Sequence, residues 1–335
     1  MDFTYLGRTG LQVSRLCLGT MNFGPRTSEE DSHAIMDMAH DAGINFFDTA
    51  NRYGTEPGET ETIIGNWFAS GGGRRERTVL ATKVYGEMGS WPNEGKLSAL
   101  NIRRALDASL RRLQTDYVDL YQAHRYDEDT PLEETLRAWD DLVRQGKILY
   151  IGVSEWTAEQ IADALVIADE LGLYRIVTNQ PQYSMLWRVP EEKVMPLCRE
   201  EGIGQVVWSP LAMGVLTGKY EPGKEPPKDS RAGMGGEVWS HFMRDESLAA
   251  VQELKPIAAE LGLSMANLAL AWILQNDNVS AAITGASRPD QVADNVKASG
   301  VELDDEVMGR IDQILKGVVV RDPDRDLAPE DRDDD

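Results

Sequence analysis

At 335 residues, 41 % of them apolar, the chain has enough hydrophobic material for a sizeable core, which excludes wholesale disorder. Its 34 basic residues stand against 56 acidic ones, and the resulting net charge of −22 repels nucleic acid and anionic membrane surfaces. There is no run of about 18 apolar residues and no basic stretch leading into an apolar N-terminal core, so neither a membrane span nor a secretory signal is expected.

In chain order, FTYLGRTGLQVSRL comes first, with two short alternating runs around Gly7 and Gly10 that predict a β-hairpin. Eight apolar or β-branched runs then read as strands, at 15–21, 44–50, 79–85, 117–124, 148–154, 175–180, 204–209 and 280–285. Between them, helical spacing of apolar residues is clearest at 29–43, 99–113, 131–146, 157–172 and 190–202. Ser28 with Asp31, and Thr157 with Gln160, are good helix-opening pairs; Gly43, Gly146, Gly172 and Gly202 are good closing residues. Two excursions break the rhythm. One is the 86–98 segment after the third strand; the other is the Gly- and Pro-rich stretch 218–247, whose length suits a lid or cover.

Strands alternating with helices imply a parallel sheet, and eight of them without a break in composition predict an α/β fold, a (β/α)8 TIM barrel, which needs about 250 residues. The N-terminal β-hairpin is expected to close the barrel floor. The doubly wound alternative would carry G-x-G-x-x-G after its first strand, and TMNFGPRTSEED stands there instead. Residues 1–320 are expected to form the barrel, and 321–335, with eight acids and three arginines, an acidic, solvated and disordered tail. Cys17 and Cys198 read as reduced buried thiols of a cytoplasmic protein.

Active sites of such barrels are built from the C-terminal strand ends. Strand two ends in Asp48, with Tyr53 five residues on; strand three ends around Lys83; strand four ends in His124. Taken singly, each has an ordinary reading: a loop cap, a loop aromatic, a structural ion pair, a core histidine. Together they converge on one mouth and form a proton donor. Lys83 is expected to lower the pKa of the Tyr53 phenol, with Asp48 holding the lysine in place and His124 polarising a carbonyl oxygen. The protein has no hydride donor of its own, so this chemistry calls for a reduced cofactor. A barrel glycosidase or metal hydrolase would need paired carboxylates or ligand clusters at these ends, and no metal site is expected.

The motifs FFDTANRYG, ATKVY and YQAHR, with LGRTGLQVSRLCLGTMNFG, closely resemble the aldo-keto reductase superfamily from about residue 3 to residue 315. The resemblance implies a catalytic tetrad of Asp48, Tyr53, Lys83 and His124, with Tyr53 as general acid, and an NADPH/NADP+ cofactor. It places Ser154, Asn179 and Gln180 at the nicotinamide, Gln180 more firmly than Asn179, and sets the ring of Trp208 against it. Ser209, Leu211, Gly214, Leu216, Gly218 and Lys219 would line the pyrophosphate and ribose. Gly285, Ser287, Arg288, Gln291 and Asn295 would hold the adenosine end, where the guanidinium of Arg288 suits a 2′-phosphate and so favours NADPH over NADH. Glu155 stands where the family usually has asparagine, and no role carries over to it.

The LGRTGLQVSRLCLGTMNFG and SRPDQVADNVKA segments look most like the bacterial subgroup related to potassium-channel β subunits. That implies reduction of a small-molecule aldehyde or ketone, with homo-oligomers known among the members. The alternative is an NADPH-binding regulatory subunit of a membrane protein. Met21, Phe23 and Trp91, with Trp187 and Trp239, fall in segments expected to overhang the mouth and form an apolar substrate pocket.

Overall fold

The structure, a computed structural model, describes residues 1–228, 230–233, 238 and 240–322. Two short strands come first, β1 (Phe3–Tyr5) and β2 (Gln12–Ser14), paired antiparallel with Phe3 opposite Ser14. The barrel strands follow: β3 (Leu16–Gly19), β4 (Phe46–Asp48), β5 (Val79–Val84), β6 (Val118–Ala123), β7 (Ile148–Ser154), β8 (Ile176–Gln180), β9 (Gly204–Val207) and β10 (Val279–Gly285). All neighbouring pairs are parallel, and β10 closes onto β3, so the eight strands form a complete (β/α)8 barrel. Closure removes the sheet edges that an open sheet would expose.

The helices are α1 (Glu29–Asp41), α2 (Glu59–Ala69), α3 (Ala99–Leu113), α4 (Leu132–Arg144), α5 (Ala158–Leu171), α6 (Val194–Glu201), α7 (Asp245–Glu253), α8 (Lys255–Glu260), α9 (Met265–Leu274), α10 (Pro289–Asn295) and α11 (Asp305–Leu315). Their starts follow local chemistry. The Ser28 hydroxyl accepts from the Asp31 amide, and Thr157 and Gln160 form a reciprocal capping box. In α3 the buried Ile102, Ala105, Leu106 and Leu113 make one apolar stripe against the sheet. The α2 segment contains Gly65, a poor helix residue, because a β-carbon there would lie 2.0 Å from the Arg112 carbonyl of α3. Among the described residues no single helix is long and apolar enough to cross a membrane.

Two apolar layers hold the fold. The larger lies between barrel and helices, with Phe47, Trp67, Trp139 and Ile151 among its members. The smaller fills the barrel interior with Cys17, Phe46, Ala81, Leu120, Val206 and Ala281, and the hairpin adds Leu6 and Val13 to it. Full burial of a side chain of that size contributes roughly 1.5–3 kcal/mol, so the hairpin is a plug rather than an appendage. Gly7 permits its seating. It has a left-handed φ of 56°, and a β-carbon would meet the backbone of Gly202, Val177 and Gly204 within 3 Å. At the other end of the described chain, Val320 exchanges backbone hydrogen bonds with Leu186 and Arg188. The 323–335 part of the acidic tail, and Trp239, lie outside the described residues.

Candidate active site

With the floor plugged, the C-terminal strand ends form the open mouth. Asp48 is the last residue of β4, Lys83 lies on β5 next to it, and His124 follows the last residue of β6. The order β4-β5-β6 makes these three neighbours around the rim. Tyr53 sits on the loop after β4, where its amide bonds the Ala50 carbonyl and its carbonyl accepts from Thr60. All four groups are therefore placed by backbone that the barrel fixes.

Lys83 is fully buried, and its ammonium has three partners: Asp48 Oδ2 at 2.5 Å, the Thr49 carbonyl at 2.9 Å and the Tyr53 hydroxyl at 3.4 Å. The second oxygen of Asp48 accepts from the Gln180 amide at 2.9 Å and from the Gln122 amide at 3.3 Å. This saturates the buried ion pair, as a charge withdrawn from water requires. The His124 and Tyr53 rings meet edge to face with centroids 5.8 Å apart.

The electrostatics differ from the expectation in one respect. Burial pushes the Tyr53 phenol up and outweighs the opposing pull of Lys83, whose field Asp48 partly cancels. The phenol is thus held protonated rather than eased toward phenolate. Burial works against the charge on Lys83, but Asp48 and Tyr53 prevail and its pKa rises, so it stays an ammonium. Burial, then Lys83 and Arg125, drive His124 well below the ordinary imidazole value, leaving it neutral at physiological pH. The arrangement is a protonated phenol and a neutral imidazole beside a fixed positive charge, all facing one space.

That space is a cavity of about 650 Å³, within the range of small-molecule and cofactor sites. Asp48, Tyr53 and His124 line its inner end, and Ser154, Gln180, Trp208, Ser209, Leu211, Gly214 and Gly285 continue along it. The Ser154 hydroxyl donates to the Gln180 carbonyl at 2.9 Å, joining the ends of β7 and β8. Ser209, Ala212, Met213 and Gly214 have left-handed backbones, with φ of 55°, 47°, 55° and 98°, and this bend forms one wall. Lys219 reaches the same wall, since a β-carbon on Gly214 would lie 3.6 Å from its Nζ. The Trp208 ring, the Ser154 hydroxyl and the Gln180 amide, with bent backbone beyond them, are groups that would suit an elongated cofactor carrying an aromatic ring and an amide.

Other expected site residues lie elsewhere. Asn179 does not line the cavity: neighbouring strand residues point to opposite faces, and its amide bonds Gln205 while Gln180 reaches Asp48. Leu216 and Gly218 belong to the turn behind the wall, with Leu216 fully buried. Ser287, Arg288, Gln291 and Asn295 follow Gly285, outside the cavity. Gln291 accepts from the Ser287 amide and hydroxyl, Arg288 pairs with Asp290 at 3.2 Å, and Asn295 is buried.

Of the substrate-pocket residues, Met21 lines the cavity, half exposed, but Phe23 and Trp91 do not. The turn from Thr20 to Thr27 folds the Phe23 ring inward into the core, and Trp91 stands 78 % exposed on the loop between β5 and α3. Trp187 is buried against His241 and Phe242. The cavity also takes in Asn22, Arg125, Met213 and Arg231, which the strand ends alone do not single out. For Arg125 the signal is its place directly after His124; Arg231 comes from the long 218–247 excursion, where spacing gives no guide.

The geometry can be set beside known proteins. The aldo/keto reductase family matches residues 15–316. A Bacillus subtilis (strain 168) protein described as "Uncharacterized oxidoreductase YrpG" is 45 % identical over 324 residues, covering 95 % of this chain and 97 % of that one. An Arabidopsis thaliana protein described as "Probable voltage-gated potassium channel subunit beta" is 41 % identical over 322 residues, covering 94 % and 97 %. A rice protein of the same description is 40 % identical over the same length and coverage.

Proposed function

The chain belongs to the aldo/keto reductase family, and we propose that this oxidoreductase reduces the carbonyl group of a small-molecule aldehyde or ketone with NADPH, with Tyr53 as the general acid. The observation that carries the reading is the three-way contact of the Lys83 ammonium with Asp48, Thr49 and Tyr53 at the inner end of the cavity. Bound NADPH would supply a hydride to the carbonyl carbon. Tyr53 then gives its proton to the oxygen, and the tyrosinate left behind faces Lys83. That attraction exists only once the proton has moved, so it stabilises the transition state more than the ground state. His124, neutral, donates a hydrogen bond to the same oxygen and cannot compete as an acid.

Ser154 and Gln180 would hold the carboxamide of the nicotinamide, with the Trp208 ring as its platform. Ser209, Leu211, Gly214, Lys219 and Gly285 would take the middle of the dinucleotide, and Ser287, Arg288 and Gln291, just beyond the cavity, the adenosine end. Met21 borders the substrate. Cys17 and Cys198, buried thiols outside any disulfide, support a reducing, cytoplasmic setting. The test is Tyr53→Phe, assayed by NADPH oxidation with a small aromatic aldehyde. A loss of about 10²–10⁴-fold in rate with NADPH affinity kept within about twofold is expected; an undiminished rate refutes the assignment.

A second reading, an NADPH-holding subunit of a membrane protein, is favoured by the description of the plant relatives as channel subunits. Stable co-purification with such a protein, with cofactor retained and turnover very slow, would support it over the first.

A further inference from the structure

We propose that Glu155 is a positioning residue for the cofactor, acting through Trp208: its carboxylate fixes the ring on which the nicotinamide stacks. The inference rests on the reading of Trp208 as that platform. Glu155 directly follows Ser154 at the end of β7 and has a left-handed φ of 56°, unusual for a residue with a side chain. Such a conformation persists only where the surroundings over-determine it. Here the Gln180 carbonyl accepts from both the Ser154 hydroxyl, at 2.9 Å, and the Glu155 amide, at 3.3 Å. The turn directs the side chain inward, where the residue is 5 % exposed.

Once inside, a single oxygen, Oε1, accepts from the Gln182 amide at 2.5 Å and from the Trp208 indole N–H at 2.8 Å. Both bonds are charge-assisted, the stronger class. Three loops of the mouth, those after β7, β8 and β9, are thereby tied to one carboxylate. Backbone bonds between the Trp208 amide and the Pro181 carbonyl, and between the Tyr183 amide and the Trp208 carbonyl, fix where the tryptophan's main chain lies. They do not set the side-chain torsions that orient the ring. The indole N–H is the ring's one polar handle, and gripping it sets the plane presented to the cavity that Trp208 lines. A buried carboxylate costs free energy, and here two donors on the segments flanking the cavity offset that cost.

The test titrates the cofactor-free protein with NADPH and reads the dissociation constant from the fluorescence of the bound nicotinamide. Glu155→Ala is expected to weaken binding about tenfold, the size of one charge-assisted hydrogen bond. Glu155→Gln keeps an oxygen acceptor and is expected to stay within about threefold of wild type, a rescue that a merely structural loss would not show. Trp208→Phe breaks the same bond from the other side without emptying the Glu155 site. It should weaken binding to a similar extent, and the double variant with Glu155→Ala should be no worse than the poorer single one. The proposal is overturned if the effects of Glu155→Ala and Trp208→Phe add in full. It is also overturned if Glu155→Ala binds like wild type while Trp208→Ala does not, an outcome that leaves the platform reading standing. Unchanged binding in Trp208→Ala removes the platform reading, and this proposal with it.

Discussion

The inner end of the cavity and the segment that follows β10 are built on opposite principles. At the inner end, Asp48, Lys83 and His124 come from three adjacent strands, and the ammonium and both carboxylate oxygens are saturated by buried partners. In the segment after β10, outside the cavity, Arg288 is 65 % exposed and leans on Asp290, while Ser287 bonds Gln291 one turn on. The inner end is pre-organised in low dielectric, where a fixed charge acts at full strength. The segment after β10 is satisfied by weak local pairs, which the phosphate of the proposed cofactor would have to displace. The proposed chemistry needs the first arrangement; the proposed capture of a large anion needs the second.

The contrast is open to test. Lys83→Met should have the largest effect, because it removes the ammonium and leaves Asp48 buried without its charge partner. A loss of about 3–5 kcal/mol in unfolding free energy by chemical denaturation is expected, together with at least about a hundredfold loss in turnover. Pairing it with Asp48→Asn should restore stability but not turnover, which separates the two roles of the ammonium.

In the segment after β10, Arg288→Ala should leave stability unchanged within about 0.5 kcal/mol and weaken NADPH binding about tenfold. NADH binding should be little altered. Equal loss for both cofactors would mean that Arg288 does not read the 2′-phosphate. The smallest expected effect is that of pH. Tyr53 is raised above the ordinary phenol value of 10.0 and His124 lowered well below 6.5. Neither group changes charge between those two values, so kcat/KM for reduction should be level from about pH 7 to about pH 9. A fall over that window would show Tyr53 giving up its proton early, against the dominance of burial over the pull of Lys83.

The same contrast explains what is legible in the sequence. Strand ends are periodic features, so spacing alone puts Asp48, Lys83 and His124 on one rim, and the barrel with its hairpin follows from the same pattern. The sign of the Tyr53 shift is not legible. It depends on how much water the closed cavity excludes and how far Asp48 cancels Lys83, and sequence carries neither. Phe23 and Trp91 show the limit on loops: both follow barrel strands, yet one turns into the core and the other into solvent. Asn179 shows that proximity in sequence misleads on a strand, where its neighbour Gln180 takes the cavity side. Glu155 draws no role from the resemblance because it replaces the family's usual asparagine, and its own partners, Gln182 and Trp208, lie on other loops that only the fold brings together.

The proposed reaction is hydride delivery to a carbonyl carbon at the inner end of the cavity. Its most direct test uses NADPH carrying deuterium at the transferable C4 position, an aromatic aldehyde in excess, and mass spectrometry of the alcohol. The account predicts deuterium on the carbinol carbon, one atom for each NADPH consumed. Tight NADPH binding with no alcohol formed from any of a panel of aldehydes and ketones, or alcohol formed without the label, would contradict it.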